Sequence, residues 1–372
     1  MQTHLHALGG GAPGTQRHIT SFHSGPADRG RKAYLQASLH ADELPGMLAA
    51  HHLRVRLAAL EAAGRLQGEV VVVPVANPIG LSQTLLRRPQ GRFELASGQN
   101  FNRHYAALFE PVRARVEGRL GADEAGNAAL VRAALREAVA ALQPVDEASH
   151  QRKILLGLAC DAEVVLDLHC DSEALTHLYT ATPLWPQAEP LARLIGAQAT
   201  LLALESGDHP FDEACSSTWW QLVAHLDGRH PLPHGCLSVT VELRGEHDVS
   251  HELATADADA LVAFLTHRGF VDGPAPALPP LARPATALEA TEVVNSPASG
   301  VVAYRRALGD WLHPGDVVAD VVDPISGTVW PVPVHTEGLL LTRDALRFTT
   351  AGRPLVKVVG SVPVRSGKLS SD

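Results

Sequence analysis

The chain has 372 residues, 45% of them hydrophobic and 19% charged, which suits a folded protein of about two domains and excludes a mainly disordered or collagen-like chain. Its 31 Lys and Arg against 40 Asp and Glu leave a net charge of -9, which argues against a general phosphate-backbone binder, so no nucleic-acid partner is expected. Cys160, Cys170, Cys215 and Cys236 form no C-x-x-C pair, so neither a disulfide framework nor a thiolate metal site is indicated.

The N-terminal stretch carries histidines where a signal peptide would be apolar. No segment offers the roughly 20 consecutive apolar residues of a membrane span, and neither end has a lipidation signature. A cytoplasmic protein without a membrane partner is expected.

Along the chain, residues 32–38 read as a strand. Residues 45–63 read as a helix with Pro45 in its first turn and Gly64 as its stop. The run 70–75 is continuously apolar, as a strand covered on both faces must be, and ends in an Asn-Pro turn signal. This is a βαβ unit. Residues 124–142 have helical spacing, and 163–168 form another buried strand that leads into His169. Helix at 191–199, strand at 237–241 and helix at 256–267 continue the alternation. Residues 1–272 are therefore expected to fold as an α/β domain with a mostly parallel central sheet and flanking helices. Functional loops in such sheets lie beyond the C-terminal strand ends, where residues 40–43, 169–171 and 242–244 fall. Five prolines between Gly273 and Pro284 mark a linker at 273–285. Val-rich stretches separated by Gly and Pro turns then predict a small all-β domain at 286–372.

A catalytic zinc site takes three protein ligands, commonly two His and a carboxylate, with one position open to water and a second carboxylate nearby as base. His40-x-x-Glu43 offers two ligands within one turn. His169, at a strand end, offers a third, with Asp167 placed to orient an imidazole. Glu242 follows a run of apolar and small residues at another strand end, where the competing reading is an ion pair with Arg244. The Asn102-Arg103 pair presents an amide and a planar guanidinium able to grip a carboxylate. One of Arg87, Arg88 and Arg92 could face a carbonyl oxygen.

In this order, His40-x-x-Glu43, Asn102-Arg103, Asp167-Leu168-His169 and Glu242 resemble the succinylglutamate desuccinylase/aspartoacylase family, relatives of the zinc carboxypeptidases. The resemblance spans roughly residues 30–270. The phrases at 91–98 and 205–215 look closest to the branch that includes N-acetyl-diaminobutyrate deacetylases. The resemblance implies one zinc per chain on His40, Glu43 and His169, Glu242 as base, and Asn102 with Arg103 on the substrate carboxylate. Arg92 would polarise the carbonyl, although it stands further upstream of the Asn-Arg pair than in aspartoacylase. The expected activity is zinc-dependent removal of an acyl group from a small N-acyl amino acid. A peptide-trimming carboxypeptidase and a non-catalytic metal or metabolite binder are the alternatives.

Asp212 and Glu213 could meet a cationic side chain or simply form a charged loop. The C-terminal module has Gly-Asp turns resembling biotinyl and lipoyl carrier domains. Beyond the linker, however, the only lysines are Lys357, inside an apolar strand pattern, and Lys368, in the tail. A cap over the site, or the contact of a homo-oligomer, is expected instead.

Overall fold

The computed structural model describes residues 1–369; the last three residues of the expected β domain lie outside them. The first part holds strands β1 (Gln2–Ala7), β2 (His18–Ser24), β3 (Lys32–Ala37), β4 (Glu69–Val73), the hairpin β5 (Thr84–Leu85) and β6 (Arg88–Pro89), β7 (Val164–Asp171), β8 (Glu173–Ala174), β9 (His177–Thr180), β10 (Ala199–Leu202) and β11 (Leu237–Gly245). Its helices are α1 (Pro45–Ala62), α2 (Pro78–Leu81), α3 (Phe109–Val116), α4 (Glu124–Ala140), α5 (Glu147–Ala159), α6 (Trp185–Ile195), α7 (Phe211–Leu226) and α8 (His251–His267).

With β12 (Thr286–Ala287), the strands build one sheet in the order β1-β2-β4-β3-β7-β11-β9-β10-β12. The centre, β4-β3-β7-β11, is parallel. The sheet as a whole is mixed, because β1, β2 and β4 pair antiparallel, as do β11 and β9. Residues of β3, β4 and β7 are almost all buried because helices cover both faces. Alternate residues serve two cores: Tyr34, Val71 and Val165 pack with α3, α4, α5 and α7, whereas Leu35, Val72, Leu166 and Val239 pack with α1, α6 and α8.

The helix expected at 191–199 lies earlier. Pro186 sits in the first turn of α6, and Gly196, at φ 71°, ends the helix in the left-handed region where glycine has no Cβ penalty. The chain is thereby released to pair Ala199–Leu202 with β9.

The remaining strands are β13 (Thr291–Asn295), β14 (Gly300–Tyr304), β15 (Trp311–Leu312), β16 (Val317–Val322), β17 (Val329–Pro333), β18 (Gly338–Arg343), β19 (Phe348–Thr349) and β20 (Pro354–Val359). They form two sheets, β13-β20-β18-β15 and β17-β16-β14-β19, and β8 pairs with β18. Among the described residues no helix is long and apolar enough to cross a membrane.

Candidate active site

His40 and Glu43 lie on the tight turn after β3, closed by the Glu43 amide donating to the His40 carbonyl at 3.1 Å. Strand β7, the parallel neighbour of β3, and β11, parallel beyond it, complete the site. In register, Gln36 stands opposite Asp167, Thr240 opposite Asp167, and Glu242 opposite His169. With the two-residue period of a strand, Asp167 and His169 point to one face, so the end of the sheet carries a polar row under α7.

Glu43 bridges the two imidazoles. Its Oε1 lies 2.7 Å from His40 Nδ1 and its Oε2 lies 2.8 Å from His169 Nδ1, while the Cys170 amide donates to Oε2 at 3.1 Å. His40 Nε2 faces Asn100 Oδ1 at 2.9 Å. That oxygen already accepts from the Asn102 amide, so it is an acceptor and His40 donates to it. His169 Nε2 lies 3.0 Å from Asp167 Oδ2. Both Nδ1 atoms therefore face the Glu43 carboxylate, a contact that a proton or a cation between them satisfies.

The electrostatics agree. Burial would push the Glu43 carboxyl up, but His40 and His169 hold it well below the usual range. Burial would likewise lower the His169 imidazole, yet Asp167 and Glu43 hold it well above its ordinary value. Burial and then the Arg92 charge lower His40. In this buried group, ligand atoms of His40, Glu43 and His169 all lie within 4.8 Å of one another, and the group could hold a metal ion. Two imidazoles and one carboxylate, each fixed from behind by a hydrogen-bond or ion-pair partner, are the donor set of a catalytic metal.

Arg92 reaches the same place, with Nη1 3.2 Å from His40 Nδ1 and 3.5 Å from Glu43 Oε1. It lines the cavity, whereas Arg87 and Arg88 sit on the exposed β5–β6 hairpin and do not. The preceding Gly91 makes this possible. Its carbonyl accepts from the Ala41 amide at 3.1 Å, and a Cβ at that position would overlap the Asp42 nitrogen.

Asn102 and Arg103 also line the cavity. Asn102 Oδ1 accepts from the first amide of α7, Phe211, at 2.9 Å, which brings Asp212 and Glu213 to the same space. Arg103 Nη1 donates to the Asn102 carbonyl at 2.7 Å. Burial, then the Arg92 charge, lowers the Arg103 guanidinium. Asp212 is pushed up to about 6 by burial and then Asp167. Glu213 is pushed up to about 7 by burial and then Asp212. Both lie in the first turn of a helix facing the cavity, not in a solvated loop.

Glu242 lines the cavity across from His169, and burial followed by the Glu43 charge raises its carboxyl to about 8. It is not paired with Arg244, which turns away at φ 67° and grips Asp257 with two bonds of 2.9 and 2.6 Å. The cavity, about 720 Å³, is lined on its other side by Arg343, Arg353, Lys357 and Arg365 of the C-terminal part.

Several residues at the site carry no signal of spacing or motif. Asn100 and Gln36 are single amides that acquire meaning only through their partners. Lys357, set in an apolar strand pattern, places Nζ 2.5 Å from Asp171 Oδ2.

Residues 29–133 match the family model of the succinylglutamate desuccinylase/aspartoacylase catalytic domain. A solved structure from Shewanella amazonensis assigned to that family is 24% identical, covers 96% of this chain and 98% of that chain, and superposes with a TM-score of 0.84. A second, from Shewanella frigidimarina, is 22% identical over 96% of this chain and 97% of that chain, with a TM-score of 0.84. The product-bound ectoine utilization protein of Ruegeria pomeroyi is 18% identical over 93% of this chain and 90% of that chain, with a TM-score of 0.63. No curated protein matches the sequence. The fold is that of these structures, and the stretch that matches the family's catalytic-domain model includes His40, Glu43, Asn102 and Arg103.

Proposed function

We propose that the protein is a zinc-dependent amidohydrolase that removes the acyl group from a small N-acyl amino acid, with one zinc per chain on His40, Glu43 and His169. The observation that carries this is the buried His-Glu-His group at the floor of a cavity that also holds Glu242 and Arg103. Zinc held by these residues would supply Lewis-acid polarisation of the amide carbonyl and would acidify a water.

The chain's own residues do the rest. Arg103, with the amide of Asn102, holds the substrate carboxylate in a charge-assisted, geometrically exacting grip. Arg92 faces the carbonyl oxygen as negative charge develops on it. Glu242 takes the proton of the attacking water and delivers it to the leaving nitrogen, so that amide and water become acid and amine. Within the family, the phrases at 91–98 and 205–215 favour the branch that includes N-acetyl-diaminobutyrate deacetylases. Asp212 and Glu213 supply two carboxylates to meet a substrate amino group. Four buried free thiols suit a reducing, cytoplasmic setting.

The test is amine release from acetyl, formyl and succinyl amino acids, each as free acid and as neutral amide, beside a dipeptide series. The proposal expects hydrolysis of at least one blocked amino acid, with the free acid preferred over its amide. Turnover of dipeptides alone would make the protein a carboxypeptidase, and no turnover of either class would make it a binder.

A further inference from the structure

Behind His169 lies a row of buried polar groups that the chemistry above does not use. Tyr34 and Gln36 on β3 and Asp167 on β7 are each fully buried. Tyr34 Oη lies 2.8 Å from Gln36 Oε1, and Gln36 Nε2 lies 3.0 Å from Asp167 Oδ1. Asp167 Oδ2 lies 3.0 Å from His169 Nε2. Burying a phenol, an amide and a carboxylate costs stability that aliphatic residues of similar size would not, so the row calls for a use.

The direction of each bond is fixed by chemistry. An ionised carboxylate only accepts, so the Gln36 face toward Asp167 is its NH2 and the face toward Tyr34 is its oxygen. Tyr34 must then donate. Asp167, held on Oδ1 by Gln36, places Oδ2 in an ion-pair contact with His169 Nε2 that lacks hydrogen-bond angles in this structure, and a proton on that nitrogen satisfies the carboxylate.

We propose that Tyr34 and Gln36 are positioning residues for His169: the chain from Tyr34 through Gln36 and Asp167 fixes the imidazole's orientation and keeps its proton on Nε2, so that Nδ1 is presented beside Glu43. The inference rests on the reading of His169 as a metal ligand. It extends the oriented shell two residues beyond the carboxylate, onto a strand that supplies no ligand itself. Register makes it possible, since Gln36 stands directly opposite Asp167 in the β3–β7 pair.

The test is zinc affinity by chelator competition for the wild type, Gln36→Met, Tyr34→Phe and His169→Ala, with thermal unfolding of the metal-free forms and visible spectra of the cobalt-substituted forms. Gln36→Met, which keeps the length but lacks the donor, should weaken zinc about 10–100-fold, as loss of an orienting partner typically does, and should change the cobalt spectrum. Tyr34→Phe, which removes one oxygen and preserves packing, should weaken zinc several-fold and decides the matter should Gln36→Met fail to fold. Wild-type affinity and an unaltered cobalt spectrum in the folded variants would overturn the inference, even with a lowered unfolding temperature, because the row would then be structural only. Retention of zinc by His169→Ala would instead overturn the ligand assignment beneath it.

Discussion

Glu242 is buried within reach of a second carboxylate, and its Oε2 has no hydrogen-bond partner among the described residues. Such a placement is costly for a purely structural group. Glu242→Gln removes the proton acceptor and the like-charge repulsion together while nearly preserving shape. The variant should keep its zinc, unfold at the same or a higher temperature, and lose about 10²–10⁴ in kcat. Retention of kcat to within about tenfold would remove Glu242 from the role of base. The residues for which roles of this kind are proposed were readable as candidates because their signals are local: a His and a Glu three apart, an Asn-Arg pair, a His and a Glu each ending an apolar run. Gln36 and Asn100 were not readable. Gln36 is separated from Asp167 by 131 positions, and a lone amide within an apolar strand shows nothing until strand pairing is known.

At the scale of elements, the strands β3, β4, β7 and β11 were legible because a strand covered on both faces is apolar throughout. The β1–β2 hairpin was not, since β1 is mostly exposed and polar and gains its place only by pairing with β2. The helix misplaced to 191–199 shows the same limit: apolar spacing continues past Gly196, and the left-handed glycine, not the spacing, ends α6. The loop between α2 and α3 is where an element-scale prediction can be made. Its seat against residues 41–42 depends on the absence of a side chain at Gly91, and that seat delivers Arg92. Gly91→Ala should destabilise the fold by about 1–3 kcal/mol through overpacking and should slow amide hydrolysis. Gly121→Ala, at a site with open space around the would-be Cβ, is the control and should do neither. Equal behaviour of the two variants in thermal unfolding and turnover would show that the loop accommodates a Cβ and that Arg92 is not held by this contact.

The whole molecule places its proposed chemistry between a mixed sheet and a β module that grips the segment just after His169. Lys357 pairs with Asp171, Arg343 holds Glu173 at 2.8 Å, and the Ala345 amide donates to Ser172 Oγ at 2.8 Å. The sequence foretold C-terminal all-β strands, with a cap over the site or the contact of a homo-oligomer as their expected role. It did not disclose this grip, because Lys357 lies 186 positions from Asp171. The proposed function rests on the His40–Glu43–His169 group working as a metal centre, so the most direct measurement is amine release from the preferred N-acyl amino acid before chelation, after chelation, and after zinc is returned. Hydrolysis should disappear with the metal and be restored by about one equivalent of zinc per chain. Undiminished hydrolysis by metal-free protein would contradict the proposed function.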